Sequence, residues 1–399
     1  MTTLEMYVKQ LKQQGALCHF IYDMDALVMH LENVTAQLPK QCEMYYAMKA
    51  NSESPLLAEI NPRVAGFEVA SEGELAKALE HTTADRIIFG GPGKTEDSLL
   101  YAVQQGIRRI HVESVLELER LNMLLERENK TMSILLRVNL AGPFPGATLH
   151  MAGQPTQFGI DESDVDSAIA MALQMPRIQL DGFHFHSISN HLDAKRHLAV
   201  MALYFKKAKA WATQHQFTLQ HLNVGGGIGV NYADLSAQFD WTTFTSQLAR
   251  LIEQEQLQQV TLNFECGRYL VAHSGYYVTE VLDLKRVHGH WFAVLKGGTQ
   301  HFRLPVSWQH QHPFRILTMA EPSSPLNMPS IQQQPVTLVG QLCTPKDVFA
   351  KDIMVPKLTV GDVIIFEYAG AYGWSISHHD FLSHPHPQFI YWSRKKEEE

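Results

Sequence analysis

With 399 residues, 45% of them hydrophobic and 19% charged, the chain is long enough for two domains or for one large barrel with an addition. Its formal net charge is −8 and its Lys and Arg are scattered, which argues against a nucleic-acid partner. No apolar run approaches the roughly 18–20 residues that span a bilayer, and no basic-then-apolar leader opens the sequence, so a cytoplasmic protein without a membrane partner is expected.

Cys18, Cys42, Cys266 and Cys343 have no paired spacing, which is the thiol usage of a reducing compartment rather than a disulfide framework. Residues 18–22 read as a short strand and 23–37 as a helix. Eight strand-like runs then follow at 44–48, 66–70, 86–89, 109–112, 133–138, 180–185, 221–224 and 261–264. Amphipathic stretches at 72–80, 96–105, 115–126, 164–174, 194–214 and 243–255 lie between most of them. Eight such units predict an α/β fold, a (β/α)8 TIM-like barrel. A doubly wound open sheet is the alternative, weakened because no GxGxxG follows the first strand.

After about residue 274 the rhythm changes. Runs at 276–287, 291–295, 335–342, 362–368 and 388–392 are β-rich, with no convincing helix among them. The expected organisation is an N-terminal segment 1–25 whose strand joins a β domain, a barrel over 26–274, and an all-β domain over 275–399.

In such a barrel the chemistry lies at the C-terminal ends of the strands. Polar or glycine-rich residues stand at all eight: Lys49; Ser71, Gly73 and Glu74; Gly90 to Lys94; Glu113; Arg137; His184, His186, Ser187, Ser189 and Asn190; Gly225-Gly226-Gly227; and Glu265, Gly267 and Arg268. A lysine where a buried strand ends has an apolar wall on one side. Desolvation there disfavours the ammonium and suits an amine that attacks a carbonyl. The plainer reading is a strand's exit to solvent. The glycine run offers bare backbone N–H groups to a phosphate, its plainer reading being a hinge. Arg268 could add a charge-assisted donor there, or pair with a structural Glu265. A phosphate site opposite a lysine points to a phosphorylated aldehyde cofactor, pyridoxal 5′-phosphate, held as a Schiff base.

The segments Tyr46-Ala47-Met48-Lys49-Ala50-Asn51, Phe67-Glu68-Val69-Ala70-Ser71-Glu72-Gly73-Glu74-Leu75, Gly225–Gly227, Glu265-Cys266-Gly267-Arg268 and Glu367-Tyr368-Ala369-Gly370-Ala371-Tyr372 resemble the fold-type III pyridoxal-phosphate decarboxylases. These are relatives of the diaminopimelate, ornithine and arginine decarboxylases. The resemblance implies an alanine racemase-like barrel with a C-terminal β domain, and a head-to-tail homodimer with shared active sites. It implies that Lys49 carries the cofactor, that Glu265 keeps the pyridine nitrogen protonated, and that His186 stacks on the ring. Ser189, Gly225, Gly226, Gly227, Gly267, Arg268 and Tyr372 would hold the phosphate or its surroundings. Cys343, in Leu342-Cys343-Thr344-Pro345-Lys346-Asp347, would reach in from the partner subunit and protonate the carbanion after CO2 leaves.

Departures from the family pattern bear on the substrate. Cys266 replaces a usual proline, Ile188 a usual glycine and Gln157 a usual basic residue. Thr344 stands where the enzymes for basic amino acids carry an acid. No acidic pair in the segment from Gly297 to Pro305 awaits a second ammonium, whereas His301 and Arg303 would suit an anionic distal group. Thr344 and Asp347 are further candidate substrate contacts.

These features resemble a subgroup that decarboxylates citrate conjugates of serine or diaminopropionate in carboxylate siderophore biosynthesis. A diaminopimelate- or ornithine-type decarboxylase and a glutamyl-carrier-protein decarboxylase are the alternatives. A racemase, and a non-catalytic binder of the cofactor, are disfavoured by Cys343 with Glu265 and by Cys343 with Lys49. No metal is expected, because the 21 histidines include no HExxH-type spacing.

Overall fold

The structure is a computed structural model that describes residues 2–142, 149–150, 155–319, 326 and 328–394. It comprises two compact units. One is Val28–Asn231 with Ala237–Leu270; the other is Met1–Leu27, Tyr232–Ser236 and Val271–Glu399.

The first unit is a closed parallel barrel. Strands Arg109–Val112, Ile87–Phe89, Gly66–Val69, Cys42–Ala47, Thr261–Cys266, His221–Asn223, Ile178–Phe185 and Met132–Asn139 are neighbours in that order, and the last pairs back to the first. The eight expected strands are all present, and Ile160–Asp161 adds a short ninth beside Met132–Asn139. The strands read as near-continuous apolar runs because a parallel sheet is covered on both faces; Tyr45, Tyr46, Phe67, Ile88, Leu135 and Phe264 are all fully buried.

Three consecutive helices behind the strands start alike. The hydroxyls of Ser71, Thr95 and Ser114 accept from the amides of Glu74, Ser98 and Glu117, satisfying N–H groups that a helix start leaves bare. Glu74 reaches back to the Ala70 amide at 2.7 Å and Glu117 to that of Glu113 at 3.0 Å. Ser71 and Glu74 therefore act as helix caps.

The second unit is a mostly antiparallel eight-stranded sheet. Its long strand Gly275–Val287 pairs antiparallel with Cys18–Asp23, which in turn pairs parallel with Gln388–Trp392. Leu4, Val8, Leu17, Ile21, Val278, Val363, Ile365 and Trp392 form one apolar cluster of this unit. Each fully buried aliphatic side chain there contributes about 1.5–3 kcal/mol.

Two expectations for this unit need correction. A short helix, Leu304–Trp308, lies where none was expected; Pro305 in its first turn needs no N–H partner. Strands Phe314–Leu317 and Val348–Thr359 also went unread. The second is an edge strand whose Lys351, Asp352, Pro356 and Lys357 give it the polar composition that edges favour. No described helix is long and apolar enough to cross a membrane.

Candidate active site

Lys49 sits in the tight turn Met48–Ala50 that follows strand Cys42–Ala47. Its Nζ donates to Glu68 Oε2 at 3.2 Å; the lysine side chain is 47% exposed and that of Glu68 5%. The apolar wall expected beside Lys49 is thus replaced by a buried carboxylate one strand away. Burial pushes the Glu68 carboxyl up, and the Lys49 ammonium is the largest influence opposing it.

Glu265 ends strand Thr261–Cys266, in register with Tyr45 on the strand that leads to Lys49. The two loops can touch because residue 267 is glycine; a Cβ there would lie 2.7 Å from that of Ala50. Glu265 Oε1 accepts from Asn223 Nδ2 at 2.8 Å, and Asn223 Oδ1 accepts from the Gly225 amide at 2.8 Å. His111 Nδ1 stands 3.3 Å from Oε1 and His184 Nε2 3.3 Å from Oε2. Neither imidazole contact has hydrogen-bond alignment, so both rings keep unsatisfied buried nitrogens.

Burial alone would raise the Glu265 carboxyl, but His184 and His111 outweigh it and hold the group well below the usual carboxylate range. Burial drives His184 down to about 4, against the pull of Glu265. At neutral pH Glu265 is therefore a carboxylate beside a neutral His184 imidazole. By donor type, two imidazoles and a carboxylate could also hold a metal ion. No spacing in the sequence announces that set, because the fold assembles it from three strands.

The loop after strand His221–Asn223 also differs from expectation. The Gly225 amide is engaged by Asn223, and the Gly226 amide donates to His186 Nδ1 at 3.2 Å. Two of the three supposedly bare N–H groups therefore serve to fasten the loop. The glycines are required sterically: a Cβ on Gly226 would lie 2.2 Å from the Glu265 carbonyl oxygen. Burial, then Arg137 and Lys49, push the His186 imidazole well down, leaving it neutral. Ser189 lies half-buried on the short strand Ile188–Ser189, and Arg268 is buried at the start of the turn of helix Arg268–Val271.

Behind this cluster, Arg137 Nη1 donates to Glu113 Oε1 at 2.6 Å, while the Gly91 and Gly159 amides donate to the same carboxylate at 2.9 and 3.0 Å. Lower in the barrel, Arg109 bonds Ser133 and Asn263 at 3.0 and 3.2 Å. The interior is polar for two layers, where packed aliphatics are the rule.

Lys49, His186, Ser189, Gly225 to Gly227, Glu265, Gly267 and Arg268 are thus all carried by the barrel unit. Sequence reasoning missed Glu68, His111 and Asn223 as members of the cluster. Their signal was a polar residue flanked on both sides by apolar ones.

Tyr372, His301, Arg303, Cys343, Thr344 and Asp347 belong to the β unit. Tyr372 is half-buried with a left-handed φ of 53°. Arg303 is exposed. His301 is 1% exposed, beside Cys18 Sγ at 3.4 Å and Tyr277 Oη at 3.3 Å. Burial lowers its imidazole to about 4, so it cannot supply the positive charge expected for an anionic substrate group. Asp347 is 2% exposed, and its two carboxylate oxygens accept from the amides of Thr299 and Leu342 at 2.7 and 2.8 Å. Its carboxylate thus serves as a backbone tie.

The chain matches, over residues 24–272, the family described as pyridoxal-dependent decarboxylase, pyridoxal binding domain. It is 61% identical, over the whole of both chains, to the 2-((L-alanin-3-ylcarbamoyl)methyl)-2-hydroxybutanedioate decarboxylase of Staphylococcus aureus. It is 32% identical to the L-glutamyl-(BtrI acyl-carrier protein) decarboxylase of Niallia circulans, over 92% of this chain and 87% of that one. The diaminopimelate decarboxylase of Helicobacter pylori, solved with L-lysine, superposes with a TM-score of 0.85 at 26% identity, over 96% of this chain and 94% of that one.

The site suits the family's cofactor. A buried anionic Glu265 complements a protonated pyridine ring, and the imidazole nitrogens left without partners lie in the same cluster. The chain belongs to the pyridoxal-dependent decarboxylases, and its cofactor is pyridoxal 5′-phosphate.

Proposed function

We propose that this enzyme removes the α-carboxylate of a citrate–amino-acid conjugate of the diaminopropionate type, in carboxylate siderophore biosynthesis. The observation that carries this reading is the 61% identity, over both full lengths, to the Staphylococcus aureus decarboxylase. The name of that relative describes a citrate skeleton amide-linked to C3 of L-alanine. Such a substrate presents an α-amino acid at one end and two carboxylates at the other. The exposed guanidinium of Arg303 would be one group of this chain suited to the distal end.

The cofactor, when bound, supplies an electron sink for the electrons released as CO2 departs. Lys49 would hold it covalently and give way to the substrate amine. Glu265, kept anionic in its cluster, would hold the proton at the ring nitrogen. Neutral His186 would cover one ring face, and Ser189, Arg268, Tyr372 and the Gly225–Gly227 loop would surround the phosphate. Cys343 of the partner subunit would give its thiol proton to the α-carbon. The enzyme would work in the cytoplasm as a homodimer, its remote binding energy holding the scissile bond in line.

The test is CO2 release from a panel containing the citryl–diaminopropionate conjugate, citryl-serine, diaminopimelate, ornithine, lysine and a glutamyl-carrier protein. Release from a citryl conjugate alone supports the proposal. Release from a free basic amino acid, or only from the carrier-bound glutamyl group, overturns the substrate and leaves the decarboxylase.

A further inference from the structure

Cys343 is the exposed member of the four cysteines. A proton donor on an exposed loop needs something to hold its position. Leu342, immediately before it, donates its amide to Asp347 Oδ2 at 2.8 Å. Thr344, immediately after it, accepts from the Asp347 amide at 3.2 Å. The Asp347 carbonyl accepts from the Gly340 amide at 3.1 Å. One residue therefore closes the backbone on both sides of the cysteine.

The same carboxylate fastens the loop to a second segment, because Oδ1 accepts from the Thr299 amide at 2.7 Å. Beside it, Gly297 and Gln341 exchange two bonds of 2.7 Å, from the Gln341 amide to the Gly297 carbonyl and from the Gly297 amide to Gln341 Oε1. Gly298 permits the approach, since a Cβ there would lie 2.7 Å from Asp347 Oδ2. Asp347 is 2% exposed while Cys343 stays open. The arrangement is a buried carboxylate that presents an exposed thiol without a direct hydrogen bond to it.

We propose that Asp347 is the positioning residue for Cys343: its carboxylate and backbone tie residues 340–347 to the 297–299 turn and set where the thiol delivers its proton. The proposal rests on the proton-donor role given to Cys343 above.

The experiment compares Asp347→Asn, Asp347→Ala, Gly298→Ala and Cys343→Ala in the cofactor-loaded enzyme. Hydrogen exchange is read for segments 297–300 and 340–347, alongside kcat and KM for the accepted substrate. Asparagine keeps one acceptor, alanine none, and the Gly298 variant displaces the carboxylate without removing it. The expected result is faster exchange at Leu342 and Thr299. With it, kcat falls on the order of 10- to 100-fold at little-changed KM, because a misplacement of about 1 Å costs that much. The loss should be smaller for asparagine than for alanine.

Wild-type exchange in Asp347→Ala, or an unchanged kcat in it when Cys343→Ala is slow, overturns the positioning role and leaves the proton donor standing. A normal kcat in Cys343→Ala overturns both, and that single variant identifies the cause. If Asp347→Ala does not fold, Gly298→Ala decides by the same two readings.

Discussion

Replacing Asn223 by leucine probes the centre of the site. The side chain is fully buried and spans two functional parts, donating to Glu265 Oε1 at 2.8 Å and accepting from the Gly225 amide at 2.8 Å. Leucine keeps the shape and removes both bonds. A hydrogen bond to a charged group is worth about 1.5–3 kcal/mol, and an orphaned buried N–H costs about 1–3 kcal/mol. Together the barrel should lose about 4 kcal/mol, less whatever the glycine loop recovers by relaxing. Urea unfolding of the cofactor-free protein measures that loss. Equilibrium dialysis should show cofactor affinity weakened by one to two orders of magnitude, since the carboxylate and the loop lose their common support. A stability change below about 1 kcal/mol with unchanged cofactor affinity would refute the view that Asn223 links the two.

Lys49→Met should abolish covalent retention of the cofactor, read as the absence of cofactor bound to the chain when borohydride reduction precedes denaturing dialysis. It should also raise the Glu68 carboxyl further, because the largest influence opposing burial is gone; pH-dependent infrared difference spectra would show the carboxyl protonated nearer neutrality. Glu113→Gln leaves the buried Arg137 guanidinium uncompensated and should cost on the order of 3–5 kcal/mol in urea unfolding. Burial would raise Glu113, but Arg137, Lys94 and the Gly159 amide together outweigh it and depress its folded pKa. The stability it adds is therefore present above the unfolded value and lost as pH falls through the folded one, and the variant should show a flatter acid limb. His197 is buried against Phe239 and Phe244, and burial lowers its imidazole to about 3. The unfolded chain binds that proton first as pH drops below about 6.5, so stability declines from there toward pH 3. His197→Phe should remove one proton's worth of the slope, a relative gain of about 2 kcal/mol at pH 5, checked by denaturant titrations at several pH values.

The barrel was legible because its strands are apolar runs of strand length separated by amphipathic helices. The placement of Lys49 and Glu265 was legible too, since both stand near strand ends where the chain turns from apolar to polar. Glu68, His111 and Asn223 were harder to read. Each sits between apolar neighbours inside a strand, where alternation cannot distinguish a residue facing a polar barrel interior from a buried core residue. Their meaning depends on contacts across strands distant in sequence. The glycine loop was read as a set of free donors, yet two of its amides were already committed to Asn223 and His186. His301 and Asp347 are polar residue types that could contact a substrate, but residue type in a sequence does not reveal burial. Both proved to be enclosed. The edge strand Val348–Thr359 escaped because Lys351-Asp352 and Pro356-Lys357 interrupt its apolar runs.

Strand Cys18–Asp23 has a consequence for synthesis. It lies between Gly275–Val287 and Gln388–Trp392, so neither neighbour exists when it leaves the ribosome. About 250 residues separate it from the first of them, roughly ten to fifty seconds of translation at common rates. All eight barrel strands emerge in that interval and can close on one another. The earliest strand of the β unit must wait as an unpaired, largely apolar segment until the later ones arrive. Release of nascent chains stalled between residues 275 and 388 should therefore yield a folded barrel with an open sheet edge, the state most exposed to aggregation and most in need of a chaperone.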